Sequence, residues 1–270
     1  MASTDYVFTR DLLYNNRINL QHYLWIELFG YHIHPTITSE TSTLSQQRIA
    51  DIGTGTESIV RIWLTDLSRR LPETTRLDGL DISFDAAPPA TSLPTNISLH
   101  YFDIKSEVLE HLRGVYDIVH IRAFSFVLRD EEIERAVQNV VQLLKPGGYI
   151  QWAEPDVSSQ NTKPLTELLQ VSQIQDPRLS PTWVPGLPAT FQSLGLDRVQ
   201  SDVRDAPPYL ALTTHDCNLI VHELIARKTG NIAVREQLGR IIPEAVRESR
   251  QGAFWAFTSW TVFGRKPGLK

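Results

Sequence analysis

Nine residues, Ile49 to Glu57 (Ile-Ala-Asp-Ile-Gly-Thr-Gly-Thr-Glu), constrain the fold of this chain more than any other stretch. They read as the end of a buried strand (Ile49, Ala50, Ile52) breaking into a Gly-rich turn. A helix is predicted next, through Ser58, Ile59, Val60, Ile62, Trp63 and Leu67, whose spacing gives one apolar face. Gly53 and Gly55 let the backbone turn sharply and let a ligand approach the main chain. A strand, turn and helix in this order presents free N–H groups and the positive end of a helix dipole. The predicted ligand is nucleotide-like.

Two acids qualify that reading. Asp51 stands two residues before Gly53, and Glu57 follows the turn, where it would repel a phosphate. The dinucleotide fingerprint instead approaches its first glycine through apolar residues and cradles a pyrophosphate. A carboxylate at Asp51 suits a ligand with an ammonium and a sulfonium, which is S-adenosylmethionine. The turn alone leaves both open, because Gly53-Thr54-Gly55 with Ser58 also meets the looser dinucleotide pattern.

Further strands follow in step. Leu77 to Ser83 is a second, ending in Asp81, about 20 residues beyond the turn, where an acid accepts from both ribose hydroxyls. The plainer reading of Asp81 is a solvated loop acid. Asn96 to Phe102 is a third strand, with Ile97, Leu99 and Tyr101 alternating, closed by Asp103-Ile104. Tyr116 to Arg122 is a fourth. Leu143 to Trp152 supplies a helix end, the turn Lys145-Pro146-Gly147-Gly148, and a fifth strand.

The order of these pieces resembles the class I S-adenosylmethionine-dependent methyltransferases, closely over residues 49 to about 155. The run Leu144-Lys145-Pro146-Gly147-Gly148-Tyr149-Ile150 is among that family's more specific signatures. Arg17-Ile18-Asn19-Leu20-Gln21-His22 is similar to the Arg-Leu-x-Leu-Gln-His motif of fungal secondary-metabolism methyltransferases. That group includes LaeA-like, UMTA-type and gliotoxin thiomethyltransferase-type proteins, and the chain looks closest to the last. Thr56 departs from the pattern, standing where many members carry a third glycine. The resemblance implies an α/β, Rossmann-like sheet of seven strands with the last antiparallel, plus an N-terminal helical cap and a helical lid. It implies S-adenosyl-L-methionine as cofactor, leaving as S-adenosyl-L-homocysteine. Asp81 with Ile82 would hold the ribose, and Asp103 with Ile104 the adenine amino group. Arg17 and Gln21 on the cap, with His120, Ile121 and Arg122, would surround the methionine end.

Composition narrows the partners. The chain has 270 residues, 41% hydrophobic and 21% charged, enough for a packed core and too apolar for disorder. A net charge of −5 argues against a nucleic-acid substrate. One cysteine, Cys217, leaves no disulfide framework and no cysteine-based zinc site, and no metal is expected. The polar opening Met1 to Asp5 shows no signal peptide, and no apolar run reaches membrane-spanning length. A cytoplasmic protein is expected, a monomer or dimer, acting on a small metabolite.

One methyltransferase domain is expected over 1–270: a helical cap (1–45), a cofactor core (46–157), substrate-side helices with a sixth strand (158–212), lid helices (213–250) and the last strand (251–270). Leu20, Tyr23, Leu24, Leu28 and Tyr31 repeat at helical spacing and predict the docking face of the cap. Ala86 to Pro94 is a Pro-rich surface loop. A short helix is predicted over 107–112, and further helices over 130–144, 163–175, 188–196, 214–227 and 233–247. After Asp156 the chain reads as irregular, and Ala253 to Arg265 alternates as a strand with one buried face.

A sulfonium methyl needs alignment, desolvation and, for some acceptors, a base. Trp25, Trp152, Trp183 and Tyr209 are candidates for an aromatic wall around a hydrophobic metabolite, each equally placed as core. His120 is the candidate base, or else lends only backbone groups; His215 and His222 lie on the lid, where His215 is a candidate acceptor contact. With no strong base in view, a thiol, partly ionised near neutral pH, is the first acceptor expected, then a hydroxyl or amine. A cyclase that kept the fold, and a cofactor-binding regulator without turnover, remain alternatives, with a NAD-dependent reductase a distant one.

Overall fold

The computed structural model describes residues 12–42, 46–54, 60–84, 89–125, 127–162 and 181–268. The expected helix over 163–175, the start of the helix after the turn, and Gly55, Thr56 and Glu57 lie outside the described residues.

The elements are α1 (Leu12–Phe29), α2 (Pro35–Thr41), β1 (Arg48–Ile52), a π-helical turn (Val60–Leu64) running into α3 (Thr65–Ser68), β2 (Arg76–Asp81), β3 (Ile97–Tyr101), β4 (Tyr116–Arg122) and α4 (Ile133–Leu143). They continue with β5 (Leu144–Thr162), α5 (Leu187–Ser193), β6 (Asp197–Arg204), α6 (Pro208–Lys228), α7 (Ile232–Ser249) and β7 (Trp255–Arg265). The strands form one sheet in the order β3-β2-β1-β4-β5-β7-β6. β7 runs antiparallel to both neighbours, β5 and β6, while the other pairs are parallel. This is the expected seven-stranded class I sheet.

Alternation along the strands sorts the core into two layers. Ala50, Ile52, Val119, Ile121, Ile150 and Trp152 pack with α4 and α5 on one face. Ile49, Leu77, Ile118 and Tyr149 pack with Ile37, Trp63, Leu64 and Leu67 on the other. In α4, Ile133, Ala136, Val137, Val140 and Leu143 are buried at spacings of three and four, the stripe a sheet-facing helix needs. The α6–α7 hairpin has its own apolar cluster, including Leu219, Leu238, Ile241 and Trp255. α1 leans on α6 through Tyr14, Ile18 and Leu224, and on the sheet end through Trp25, Phe29 and Ala153.

Four expectations are corrected. β5 does not become irregular after Asp156: it continues to Thr162 through a bulge between Asp156 and Asn161, where Ser159 Oγ accepts from Thr258 N at 2.8 Å. The alternation in β3 is that of an edge strand, with Ile97 buried and Tyr101 exposed. The helix over 107–112 is only a 3-10 turn, Glu110–Leu112. The docking face of α1 is rotated: Tyr14, Ile18, Trp25 and Phe29 are buried, whereas Leu20 and Tyr23 are exposed. The buried face also carries Asn15, Arg17 and His22, so counting apolar residues selects the wrong side.

Candidate functional site

The strand register sets the site. Asp51 in β1 lies beside His120 in β4, and His120 beside Gln151 in β5. A period of two puts all three on the Trp63 face, as a buried polar row across the middle of the sheet. His120 Nδ1 is 2.7 Å from Asp51 Oδ1. Trp63 lies flat on the imidazole, with centroids 4.0 Å apart and planes 7° apart. Burial pushes the His120 pKa down despite the Asp51 carboxylate, so the ring is neutral and Nδ1–H donates to Asp51. Gln151 closes the row, accepting from His34 N at 2.7 Å and donating to the His32 carbonyl at 2.9 Å. Asp51 Oδ2 is buried and has no hydrogen-bond partner among the described residues. That costs stability unless a cation comes to meet it.

The turn after β1 follows. Gly53 has φ +75°, and its N–H donates to the Leu80 carbonyl at 2.8 Å. Thr54 Oγ1 is a second buried oxygen without a partner among the described residues. The Phe124 ring lies on Gly53 so closely that a Cβ there would stand 2.6 Å from Phe124 Cζ.

Glu154, near the middle of β5, holds Phe124 in place. Its Oε1 accepts from Phe124 N (2.6 Å) and Trp152 Nε1 (2.7 Å), and its Oε2 from Ser125 N (3.0 Å) and Ser125 Oγ (2.5 Å). These bonds fold the chain back after β4 through Ala123, whose φ of +60° is unusual for a residue with a Cβ. Burial outweighs the four donors and pushes the Glu154 pKa up from 4.5 to about 7. An acid raised on folding contributes stability that is full below its unfolded pKa and is lost as pH rises through the folded one. The unfolding free energy is therefore expected to fall by roughly 3 kcal/mol between about pH 4.5 and pH 7. Glu154→Gln should flatten that slope whatever its effect on absolute stability. Denaturant melts across the range check this, and an unchanged slope would remove Glu154 as its source.

The remaining candidates fall into three groups. At the sheet's carboxyl edge, Asp81 is buried and accepts from Ser83 N at 3.0 Å, with Ile82 exposed beside it. Asp103 caps its own loop, accepting from Lys105 N (2.9 Å) and Ser106 Oγ (2.8 Å), and Ile104 is buried. Each of these Asp103 oxygens keeps a second lone pair.

On α1, Arg17 donates to Gln21 at 3.3 Å, leaving its Nε buried and unpartnered among the described residues. His22, one residue further, accepts from Arg122 Nη2 at 3.1 Å. Arg122, at the end of β4, is half-buried, and desolvation lowers its pKa to about 10 against the pull of Asp51 and Glu154. Ile121 is wholly buried in the opposite core layer.

The aromatic candidates do not form one wall. Trp152 is fully buried, edge-on to Phe124 and Trp183, and is core. Trp25 stacks on Phe29 at 4.9 Å. Trp183 is buried, its Nε1 without a partner among the described residues, and Tyr209 is two-thirds exposed on α6. His215 is buried, its Nδ1 accepting from Trp255 N at 3.2 Å and its Nε2 likewise unpartnered. Neither His120, under Trp63, nor His215 presents an open face as a base. Sequence reasoning gives no site role to Trp63, His22, Asp66 or Glu154. Trp63, four residues after Ile59, reads as one more apolar helix position.

The strand order and the reversed β7 define a class I S-adenosylmethionine-dependent methyltransferase fold. Two solved structures share it. The cyclase SpnF has a TM-score of 0.53 at 14% identity, covering 87% of this chain and 80% of that one. The phosphoethanolamine N-methyltransferase 2 of Haemonchus contortus, in complex with S-adenosyl-L-methionine, has a TM-score of 0.52 at 14% identity, covering 94% and 57%. At such identity the likeness is one of fold.

No protein-family model matches the chain. Its sequence is similar to proteins of fungal secondary metabolism. It is 36% identical over 151 residues to the methyltransferase grgD of a Penicillium species, 53% of this chain and 50% of that one. It is 35% identical over 145 residues to the N-methyltransferase tcpN of Claviceps purpurea, 52% and 48%. It is 25% identical over 191 residues to the secondary metabolism regulator laeA of Coprinopsis cinerea, 70% and 43%. The chain thus spans about half the length of the curated relatives it matches. Among the described residues no helix is long and apolar enough to cross a membrane.

Proposed function

We propose that this chain binds S-adenosyl-L-methionine and transfers its methyl group to a heteroatom of a small secondary metabolite. The observation that carries the reading is the unpartnered, buried Asp51 Oδ2 on the same sheet face as the half-buried guanidinium of Arg122. An amino-acid end brings an ammonium for the first and a carboxylate for the second, whereas a pyrophosphate would meet Asp51 as a like charge. His120 fixes Asp51 in place, with Trp63 keeping water off both. Gly53 makes the sharp turn with the Phe124 ring filling the space where a side chain would stand, and Asp81 would accept from the ribose. When bound, the cofactor supplies a methyl on a sulfonium, already activated for in-line displacement.

For the acceptor atom we favour nitrogen, because a similar chain in Claviceps is named an N-methyltransferase. A nitrogen that holds its lone pair unprotonated near pH 7 needs no base, in keeping with the enclosed rings of His120 and His215. A thiol meets the same condition and stands second. The test is calorimetry with S-adenosylhomocysteine and NAD, followed by labelled methyl donor and a panel of amine, dithiol and phenol metabolites. Binding of the homocysteine product without NAD binding, and label on nitrogen, are expected. Binding of NAD alone would overturn the cofactor. Label on thiol or phenol would replace nitrogen, and cofactor binding without any labelled metabolite would favour a regulator or a cyclase.

A further inference from the structure

The Arg17–His22 motif has a member the site above does not use. His22 is almost wholly buried, yet it sits in a polar cluster with Arg122, Asp66, His32 and Arg69. A guanidinium can only donate, so His22 Nδ1 accepts from Arg122 and the ring proton is on Nε2. That proton faces Asp66 Oδ2 at 3.4 Å, the oxygen that His32 Nε2 also approaches at 3.4 Å. Arg69 donates to the other oxygen, Oδ1. Burial and the Arg122 charge hold the His22 pKa down to about 3, so the ring stays a neutral acceptor. His22, His32 and Asp66 each bring one ligand atom to within 4.8 Å of the others, a spacing a cation could use. With Arg122 on Nδ1, however, His22 Nε2 keeps its proton and has no lone pair to offer a metal.

We propose that His22 is a positioning residue: held in one tautomer by Asp66, it aims the Arg122 guanidinium at the carboxylate of the cofactor's amino-acid end. The inference rests on the reading of Arg122 given above. Arg122 ends β4 and His22 lies mid-way along α1, so the bond ties the cap helix to the cofactor edge of the sheet. Without an acceptor at Nδ1, a long side chain with four rotatable bonds would lose its orientation and gain a desolvation cost. Asp66 acts one step back, keeping the proton off Nδ1.

The ring's two nitrogens can be separated by substitution. In His22→Asn the amide oxygen can stand where Nδ1 stood and accept from Arg122. In His22→Gln the amide nitrogen can stand near Nε2 and donate to Asp66, leaving Arg122 without its acceptor. The probes are S-adenosylhomocysteine, which has the carboxylate, and 5′-methylthioadenosine, which lacks the whole amino-acid end. Their affinities are compared by calorimetry on proteins whose melting temperatures are also measured. His22→Gln is expected to weaken S-adenosylhomocysteine by about tenfold, with methylthioadenosine unchanged, and His22→Asn to stay within about threefold of wild type for both. Arg122→Met is expected to weaken S-adenosylhomocysteine alone, by about 10²-fold. If both His22 variants weaken the two probes equally, His22 is merely structural and the proposal fails. If His22→Gln leaves both unchanged while Arg122→Met discriminates, the proposal fails and the Arg122 reading stands. If Arg122→Met fails to discriminate, that reading falls, and the proposal with it.

Discussion

Gly53→Ala is expected to abolish cofactor binding and to destabilise the fold by roughly 2–5 kcal/mol. Two independent causes add. A backbone φ of +75° is one that a residue with a Cβ adopts at a cost of roughly 1–2 kcal/mol. The new Cβ would also stand 2.6 Å from Phe124 Cζ, and the ring has no room to swing away, because it is buried edge-on to Trp152 while Glu154 holds the backbone beneath it. Relief therefore means moving the loop after β4, whose first residue, Ala123, is already in the left-handed region. Phe124→Ala separates the causes, since it removes the clash and leaves φ untouched. The double variant should be more stable than the sum of the single losses by about 0.5–3 kcal/mol. Strict additivity in denaturant melts would show that Phe124 and Gly53 are not coupled. Cofactor affinity near wild type in Gly53→Ala would show that the turn is not the binding loop.

The sheet was legible because its signals are local. In β4 every residue from Tyr116 to Ile121 is buried, and the predicted bounds match the strand. Gly147 has φ +82° and a Cβ on Gly148 would meet the Tyr116 carbonyl at 2.9 Å, so the Gly-Gly pair, expected as a turn, instead marks the register shift early in β5 for a physical reason. What was hidden depends on partners far apart in sequence. Arg122 and His22 are 100 residues apart, Glu154 and Phe124 are 30 apart, and Trp63 meets His120 only through the fold. The rotated face of α1 has the same origin: a helix whose buried side carries Arg17 and His22 cannot be oriented by counting apolar residues. Trp152 misleads in the opposite sense. Tryptophan near a ligand site looks like a wall, but strand parity turns this one into the α4 layer, where its N–H serves Glu154.

Asp51→Asn is expected to cost much affinity with almost no change in shape. The amide keeps an oxygen for His120 Nδ1–H, and the 2.7 Å bond under Trp63 favours that orientation. The other atom is then an NH2 at the position of Oδ2, the one buried oxygen of the row that has no partner among the described residues. A donor there faces the ammonium of the cofactor's amino-acid end, so attraction becomes repulsion while the packing stays. Losing one member of a buried, hydrogen-bonded charge pair costs about 2–5 kcal/mol, or roughly 30- to 4,000-fold in affinity for S-adenosylhomocysteine. Methylthioadenosine, with no ammonium, should bind as it does to wild type. The melting temperature should hold or rise, because a buried carboxylate oxygen without a donor among the described residues is removed. Equal losses for the two ligands would mean that Asp51 shapes the turn and does not meet a cation. Unchanged affinity for both would withdraw the zwitterion clamp of Asp51 and Arg122 altogether.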